Sequence, residues 1–200
     1  MADQPDKDYV DSYEDVSMFV LSDEREELLL NTQTECTFMW TTKDHEPVGV
    51  IMNFVWKDGR FWITCTRRRK RVAAVEARPK VAIAISSRGT KLASSQAVTY
   101  KGDAIVRDDR ETKDWFYPRL AERQRQGDAE IAEFLRRIDT PGRVVIELDP
   151  VSWITYDGNR LEASLRGMEY DPAMAKPTRN PARPPDGWIT RWWTDAGLGD

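Results

Sequence analysis

The sequence predicts a mainly β protein in which helices flank the strands. Apolar runs rich in Val, Ile, Phe and Trp recur between polar turns, and the Asp58-Gly59 pair between two such runs is typical of a tight hairpin. The chain has 200 residues, of which 40% are apolar and 32% are charged, a composition that suits one globular domain.

The first half of the chain predicts one opening helix and five strands. Asp23-x-x-Glu26 resembles a capping box and predicts a helix that ends near Asn31. A short helix is expected at Val72–Arg78, and Gly102 is expected to mark a bulge in the fifth strand. The strands are predicted at Glu35–Thr42, Val48–Trp56, Phe61–Thr66, Lys80–Ser87 and Ala97–Val106. The second of them is apolar almost throughout, so we expect both of its faces to be covered.

The second half predicts two helices and a closing pair of strand segments. The pattern of Arg110–Arg125 is helical, with a break expected at Tyr117-Pro118, and Asp128–Ile138 is a second helix with one apolar face. The strand segments are predicted at Val144–Leu148 and Val151–Tyr156, separated by Asp149-Pro150.

The two ends of the chain differ in composition from the middle. Residues 1–21 predict a flexible acidic arm, and residues 22–158 form the predicted domain. Residues 159–200 predict a Pro- and Trp-rich extension, with five prolines between Asp171 and Gly187. We expect Trp188, Trp192 and Trp193 to pack on the domain or on a second subunit, because three indoles are costly to leave in water.

Five consecutive cations, Arg67–Arg71, lie at a junction between a predicted strand and a predicted helix. The net charge of the chain is −4, so this run is a local exception. These like charges repel one another. An anionic group such as a phosphate would offset that repulsion if it were bound among the side chains and the N–H groups of the helix start. The alternative is a solvated basic turn.

Side-chain nucleophilic or metal catalysis is not indicated by the sequence. The single histidine, His45, falls in a predicted turn, and Cys36 and Cys65 lack metal-ligand spacing, so we expect reduced core thiols and no metal site. Phosphate-binding and dinucleotide-binding glycine motifs are absent from the sequence. If the protein is an enzyme, a cofactor is expected to carry the chemistry, and no catalytic side chain is assigned.

The order of these elements resembles the FMN-binding split β-barrel family, which includes pyridoxamine 5'-phosphate oxidases and the deazaflavin-dependent reductases. The most specific feature is a cation eight residues before a proline, Arg71 and Pro79 in RVAAVEARP. The closing ELDPVSWITYDG is similar to the last strand of that family. The resemblance covers roughly Glu24–Tyr156 and implies a six-stranded antiparallel split barrel with flanking helices, assembled as a homodimer.

The resemblance also implies where a cofactor would bind. In the family the cofactor lies in a groove at the dimer interface, and the basic junction holds its phosphate. The implied phosphate ligands are Arg69, Lys70 and Arg71. Thr64, Cys65 and Thr66 are implied along the ribityl chain, and Val50, Ile51, Met52 and Asn53 along the ring edge.

The function implied by the resemblance is a flavoprotein oxidoreductase that binds FMN and passes a hydride or electrons to a small molecule. The oxidase subgroup carries an Arg near the position of Val50 and a Lys near that of Val55, and their absence argues against a true pyridoxamine-phosphate oxidase. Two alternatives stay open. One is a reductase that uses the deazaflavin coenzyme F-420, whose anionic tail would engage the surplus cations, and the other is a non-catalytic flavin or haem carrier or sensor.

The sequence also limits the partners and the location. Basic residues form one short cluster rather than a whole basic face, so nucleic acid is not an expected partner. The acidic start is unlike a signal peptide, and no apolar run approaches the length of a membrane span. We therefore expect a cytoplasmic protein without a membrane partner.

Overall fold

The computed structural model of the chain describes residues 19–92 and 95–165. Its helices are α1 (Asp23–Thr32), α2 (Lys70–Ala77), α3 (Arg110–Gln124), α4 (Asp128–Ile138) and α5 (Gly158–Leu165). Its strands are β1 (Glu35–Thr41), β2 (Pro47–Lys57), β3 (Arg60–Thr66), β4 (Lys80–Ser86), β5 (Gln96–Arg107) and β6 (Arg143–Asp157). No helix in this part of the chain is both long enough and apolar enough to cross a membrane.

The six strands form a closed barrel in the order β1-β2-β3-β6-β5-β4. β1 pairs antiparallel with both β2 and β4, and β3 pairs antiparallel with β2 and β6. The β2–β3 hairpin turns at Asp58 and Gly59, both with positive φ, as the Asp-Gly signal predicts. Closure removes the free strand edges of an open sheet. The predicted six-stranded antiparallel barrel with flanking helices is confirmed.

The last strand and the third helix are each continuous, whereas the sequence predicted a break in both. β6 runs through Pro150, with Leu148 and Trp153 buried on either side of it. α3 runs through Pro118 although a proline removes one helical hydrogen bond and crowds the preceding turn. Burial of the apolar face of α3 offsets that local cost; the buried residues include Phe116, Tyr117, Leu120 and Ala121.

Gly102 is explained by a close approach between neighbouring strands. A Cβ atom at this position would overlap the carbonyl oxygen of Asp149 and come within 3.0 Å of the Leu148 side chain. Only glycine lets the two backbones lie at this separation. The glycine in the predicted fifth strand is therefore a packing requirement of the β5–β6 pair.

Tertiary contacts divide the chain into two compact units, and the larger comprises Gln33–Ile85 and Thr99–Trp153. A first aromatic group in this unit links Phe54, Phe61, Tyr100 and Trp153, with successive ring centroids 4.7–5.8 Å apart. A second group packs α3 and α4 on the barrel, and Trp115 meets Trp62 edge-on at 4.8 Å. Its buried members are Val55, Trp62, Phe116, Tyr117, Leu120, Ile138 and Val145.

The smaller unit contains the described residues 19–32, 86–92, 95–98 and 154–165. Phe19, Val20 and Leu21 are buried here, although the sequence placed them in the flexible arm 1–21. The Leu21 amide donates to Thr155 Oγ1 at 3.0 Å, and the Asp157 amide donates to the Phe19 carbonyl at 2.7 Å. Residues 1–18 of the predicted arm lie outside the described residues. So do residues 166–200 of the predicted extension, including its three tryptophans.

Replacing Pro118 by alanine should stabilise the protein. The side chain is exposed, and the substitution restores a helical N–H while removing the ring that crowds the previous turn. We expect the free energy of unfolding in urea to rise by about 1–3 kcal/mol. The neighbouring exposed Arg119→Ala is the matched control and should change it by less than about 0.5 kcal/mol. A loss of stability in Pro118→Ala would contradict a helix that is continuous at this position.

Candidate functional site

The strand-to-helix junction presents a helix start that no side chain of the described residues caps. Arg69 is the N-cap residue of α2, with φ −70° and ψ 135°, and its side chain makes no capping hydrogen bond. In α3, by contrast, Asp109 Oδ1 accepts from the Thr112 amide at 2.7 Å. The first N–H groups of a helix have no intrahelical partner and carry partial positive charge. The start of α2 therefore offers donors and positive potential among cationic side chains.

The cations of the junction differ in whether a carboxylate compensates them. Arg67 is paired, with Nη2 2.6 Å from Asp108 Oδ2 and Nη1 3.4 Å from Glu76 Oε1. Within the described ranges 19–92 and 95–165, no ion pair forms to Arg68, Arg69, Lys70 or Arg71. Arg67 is thus neutralised by the protein itself, and the next four cations are not.

Neighbouring carboxylates are already occupied by other cations. Asp108 accepts from Lys113 Nζ at 2.5 Å as well as from Arg67, and the hydrogen bonds from Lys113 and Arg67 lower the pKa of its carboxyl group. Asp139 accepts from two Arg110 nitrogens, at 2.7 and 2.8 Å, and this lowers its pKa. These acids stay ionised, and their charge is committed to Lys113, Arg67 and Arg110.

Arg71 is the half-buried member of the junction. Its Nη1 lies 3.2 Å from Met52 Sδ, and its guanidinium carbon lies 5.6 Å from the centroid of the Trp40 ring. A cation over an indole face gains about 0.5–2 kcal/mol, depending on its exposure to solvent. Arg71 is therefore held against apolar groups, whereas Arg68, Arg69 and Lys70 are exposed.

Cys65 and Thr64 at the end of β3 have their polar atoms inside the protein. Burial raises the pKa of the Cys65 thiol, and Arg71, Arg143 and Arg69 oppose that shift. The thiol is therefore protonated at neutral pH, and both cysteines are free and buried, as expected. Thr64 Oγ1 donates to the Val144 carbonyl at 2.8 Å, so its hydroxyl can only accept a hydrogen bond from a ligand.

Tyr117 of α3 has a buried hydroxyl in the neighbourhood of Thr64, and its oxygen makes no hydrogen bond among the described residues. Burial raises the pKa of Tyr117, and its interaction with Thr64 lowers it by a smaller amount. The phenol is protonated at neutral pH and its ring is buried in the α3–barrel core. Tyr117 is therefore a buried neighbour of the predicted site.

The predicted ring-edge segment on β2 is divided between the two faces of the sheet, because successive side chains of a strand point in opposite directions. Val50 and Met52 share the face of the fully buried Phe54. Ile51 lies on the other face and is 66% exposed. Asn53 shares that face, and its Nδ2 lies 3.5 Å from the Thr34 carbonyl. A ligand on one face of the sheet can therefore contact the side chains of only two of these four residues.

The structure brings some of the predicted residues together and places Arg143 beside them. Met52 meets Arg71, and the thiol of Cys65 lies in the field of Arg69 and Arg71. Thr66 is exposed at the end of β3, directly opposite Arg143 in the β3–β6 register. Arg143 was not predicted as a site residue. The available signal was its position directly after the Pro141-Gly142 turn, where a strand antiparallel to β3 begins.

Two other features fall outside this site. An open cleft of ≈ 580 Å³ lies along α3 and α4, lined by Gln124, Arg125 and Phe134 among others, and no predicted site residue borders it. Within the described part of the chain, no group of three or more His, Cys, Asp or Glu side chains could hold a metal ion. His45 is an exposed turn residue with φ 62°.

Comparison with family models decides which family this barrel represents. The model described as pyridoxamine 5'-phosphate oxidase matches residues 21–157. The chain belongs to the pyridoxamine 5'-phosphate oxidase family. The resemblance inferred from the order of elements is thereby confirmed, and the matched residues include the whole basic junction and every strand. No curated protein sequence matches the chain.

Solved structures share the fold of this pyridoxamine 5'-phosphate oxidase family member at low sequence identity. A conserved hypothetical protein of Mycobacterium tuberculosis, Rv2991, is 16% identical with a TM-score of 0.63, over 72% of this chain and 90% of that one. The haem storage protein HutZ of Vibrio cholerae is 13% identical with a TM-score of 0.54, over 68% and 94%. An FAD-binding protein of Mesorhizobium loti is 14% identical with a TM-score of 0.53, over 69% and 96%.

The buried thiols should make this protein less stable at alkaline pH. Burial raises the pKa of both Cys36 and Cys65 in the folded state. Unfolded thiols titrate near ~8.5, so above that pH the unfolded state binds fewer protons than the folded state and becomes favoured. We expect the free energy of unfolding to fall between about pH 8 and 10, by up to about 1.4 kcal/mol per pH unit for each thiol.

The Cys36→Ala/Cys65→Ala variant is the control for this pH dependence. Its absolute stability should be lower because methyl groups replace buried thiols, but its slope against pH should be flatter. Urea unfolding at a series of pH values measures both quantities. An equal slope in the two proteins would show that the thiols are not the titrating groups.

Proposed function

We propose that the protein is a flavin-dependent oxidoreductase that binds FMN at the basic junction and passes a hydride or electrons to a small molecule. The observation that carries this proposal is a group of cations at the start of α2 that have no carboxylate partner among the described residues. The N-cap side chain of that helix makes no capping hydrogen bond, and the chain is a member of the pyridoxamine 5'-phosphate oxidase family. A phosphate at this position would receive N–H groups from α2 and charge-assisted hydrogen bonds from the side chains.

Arg69, Lys70 and Arg71 are the proposed phosphate ligands. Arg69 and Lys70 are exposed and can close on an anion without breaking a contact with a carboxylate. Arg71 is fixed by Met52 and Trp40, but only Nη1 faces the Met52 sulfur. A guanidinium has five N–H donors, so Arg71 can bind an anion from its present position.

The proposed cofactor contacts along β2 and β3 follow from the faces of the strands. Thr66 has an exposed hydroxyl at the strand end, and Thr64 can accept from a ribityl hydroxyl because its own proton is used by Val144. Ile51 and Asn53 supply side chains on the outer face of β2, whereas Val50 and Met52 face inward. When bound, the flavin ring supplies the redox chemistry, and these residues anchor the ring and exclude water from it.

We further propose that a second copy of the chain covers the outer face of β1, β2 and β4. Ile51 is largely exposed there, although the apolar sequence of its strand predicts that both faces are covered. The register places Thr37 beside Ile51 and Ala84 beside Thr37, and all three side chains lie on this face. Covering an exposed, largely apolar sheet face is favourable. In a homodimer this face would form one wall of the cofactor groove.

A deazaflavin reductase is the second candidate function. Arg68 is exposed and has no carboxylate partner among the described residues, so it is a cation beyond those that one phosphate needs. A ligand with a longer anionic tail would engage it. A haem or flavin carrier is the candidate of a different class, since the similar HutZ is described as a haem storage protein. The single histidine is an exposed turn residue, which gives haem no buried imidazole ligand.

We propose that the protein acts in the cytoplasm.

Absorption spectroscopy after gel filtration separates these candidates. The protein is mixed with FMN, with the deazaflavin or with haem and then passed through the column. Flavin bands near ~450 nm that co-elute with the protein, together with turnover of an electron acceptor, support the oxidoreductase. Retention of the deazaflavin alone favours the second candidate, and a bound cofactor without turnover favours the carrier.

Replacing the three proposed phosphate ligands should abolish tight FMN binding. We expect Arg69→Ala/Lys70→Ala/Arg71→Ala to weaken FMN binding by about 100-fold or more, because each lost charge-assisted hydrogen bond costs about 1.5–3 kcal/mol. Fluorescence titration measures the affinity, and thermal unfolding checks the fold. Riboflavin, which lacks the phosphate, should bind the variant and the parent equally.

Arg67→Ala is the matched control from the same junction. It removes one adjacent positive charge, but that charge is already paired with Asp108 and Glu76. FMN affinity should therefore change by less than about threefold. If the triple variant does not fold, the single variant Lys70→Ala replaces it in the test, because Lys70 is exposed. Unchanged FMN affinity in both the triple and the Lys70 variants would sink the phosphate assignment.

A further inference from the structure

Arg143 extends the cation cluster of the junction from a distant part of the sequence. It opens β6 and lies directly opposite Thr66, the last residue of β3, so the two side chains leave the same face of the sheet. The Arg67 amide donates to the Gly142 carbonyl at 2.9 Å, and this bond fixes the start of β6 beside the start of the basic run. The position of Arg143 is thus set by the backbone of the barrel.

Like its neighbours, Arg143 has no carboxylate partner in residues 19–92 and 95–165. The acids near it are occupied, since Asp139 binds Arg110 and Asp108 binds Lys113 and Arg67. The side chain is half-buried, and it contributes to the electrostatic field at the Cys65 thiol together with Arg69 and Arg71. Arg143 therefore lies at the end of β3, Arg69 and Arg71 act on the same thiol, and none of the three has a carboxylate partner among the described residues.

A single phosphate does not balance this cluster. A phosphate monoester carries at most two negative charges, which two or three of the junction cations match. Arg143 and Arg68 would then remain as uncompensated like charges beside the bound group, and like charges at close range in a partly buried site repel one another. A second anionic group beside the first would remove that repulsion.

We propose that Arg143 binds a second anionic group, so that the junction takes a ligand pair equivalent to a diphosphate. This inference deepens the proposed function and uses the same site, but it is stated for the anions and does not require a flavin. This second anionic group could come from the cofactor or from the substrate. It is either another phosphate of the cofactor, as in a dinucleotide, or the phosphate or carboxylate of the substrate.

Calorimetric titration of the full chain with inorganic pyrophosphate and with inorganic phosphate tests the proposal. We expect the parent protein to bind pyrophosphate at least about tenfold more tightly than phosphate, and Arg143→Gln to reduce this ratio to less than about threefold. Arg119→Gln is the control. It removes one exposed charge, paired with Glu122 on α3, and should keep the ratio of the parent. This control accounts for the general effect of net charge on the binding of anions.

The proposal is overturned if Arg143→Gln keeps the ratio of the parent or if the parent shows no preference for pyrophosphate. Arg143→Lys serves if the glutamine variant does not fold. It keeps the charge and loses the bidentate geometry, so its ratio should lie between those of the parent and of the glutamine variant. A lysine variant with the full ratio of the parent would show a field effect of charge and would also overturn the assignment of Arg143 as a ligand.

Two further titrations identify the source of the second group. If the cofactor supplies it, FAD binds more tightly than FMN, and Arg143→Gln removes the difference. If the substrate supplies it, FMN-loaded protein still binds phosphate, and Arg143→Gln abolishes that binding. In a protein that binds FMN or FAD, the proposal fails if neither titration responds to Arg143.

The failure of this inference can be told apart from the failure of the proposed function. An Arg143-dependent preference for pyrophosphate in a protein that binds no flavin would reject only the proposed function. FMN binding that requires Lys70, with no effect of Arg143 on any anion, would reject only this inference.

Discussion

The pairing of β3 with β6 is the constraint on which the rest of the structure depends. The two strands pair from Phe61↔Leu148 to Thr66↔Arg143, and about 80 residues separate them in the sequence. This long-range pairing is one of those that close the barrel. It aligns Trp62 and Val145 on the outer face, where α3 and α4 pack. The same register sets Arg143 beside the end of β3, so one ladder organises both the core and the candidate site.

The pairing of nearby charges determines the electrostatic potential at the junction. Nearby acids are engaged by Lys113, Arg67 and Arg110, and the cations at the start of α2 have no carboxylate partner in residues 19–92 and 95–165. Such an arrangement is electrostatically unfavourable in isolation, because the cations repel one another and no carboxylate of the described residues pairs with them. A bound anion would relieve this repulsion, and that is the physical reason for the proposal that the junction is a binding site.

Strand alternation limits how the rest of the site can work. Val50–Asn53 and Thr64–Thr66 are continuous in sequence, but their side chains divide between an inner and an outer face. Arg71 sits with the inward-facing Met52 and Trp40, while Thr66 and Arg143 lie at the outer end of β3. A ligand at the proposed site would therefore meet the ends of the strands, and the start of α2 would supply N–H donors.

Local sequence patterns determined the strands, the Asp-Gly hairpin, the short helix after the basic run and the family. These features depend on alternation, turn chemistry and spacing within a few residues, which a single sequence displays directly. The continuity of α3 through Pro118 and of β6 through Pro150 was decided by tertiary structure, because burial of neighbouring apolar residues outweighs the local cost of a proline. The compensation of Arg67, the inward position of Arg71 and the approach of Arg143 were also decided there. Each depends on a partner that is distant in sequence, such as Asp108, Met52 or the end of β3, and only the closed barrel brings these partners together.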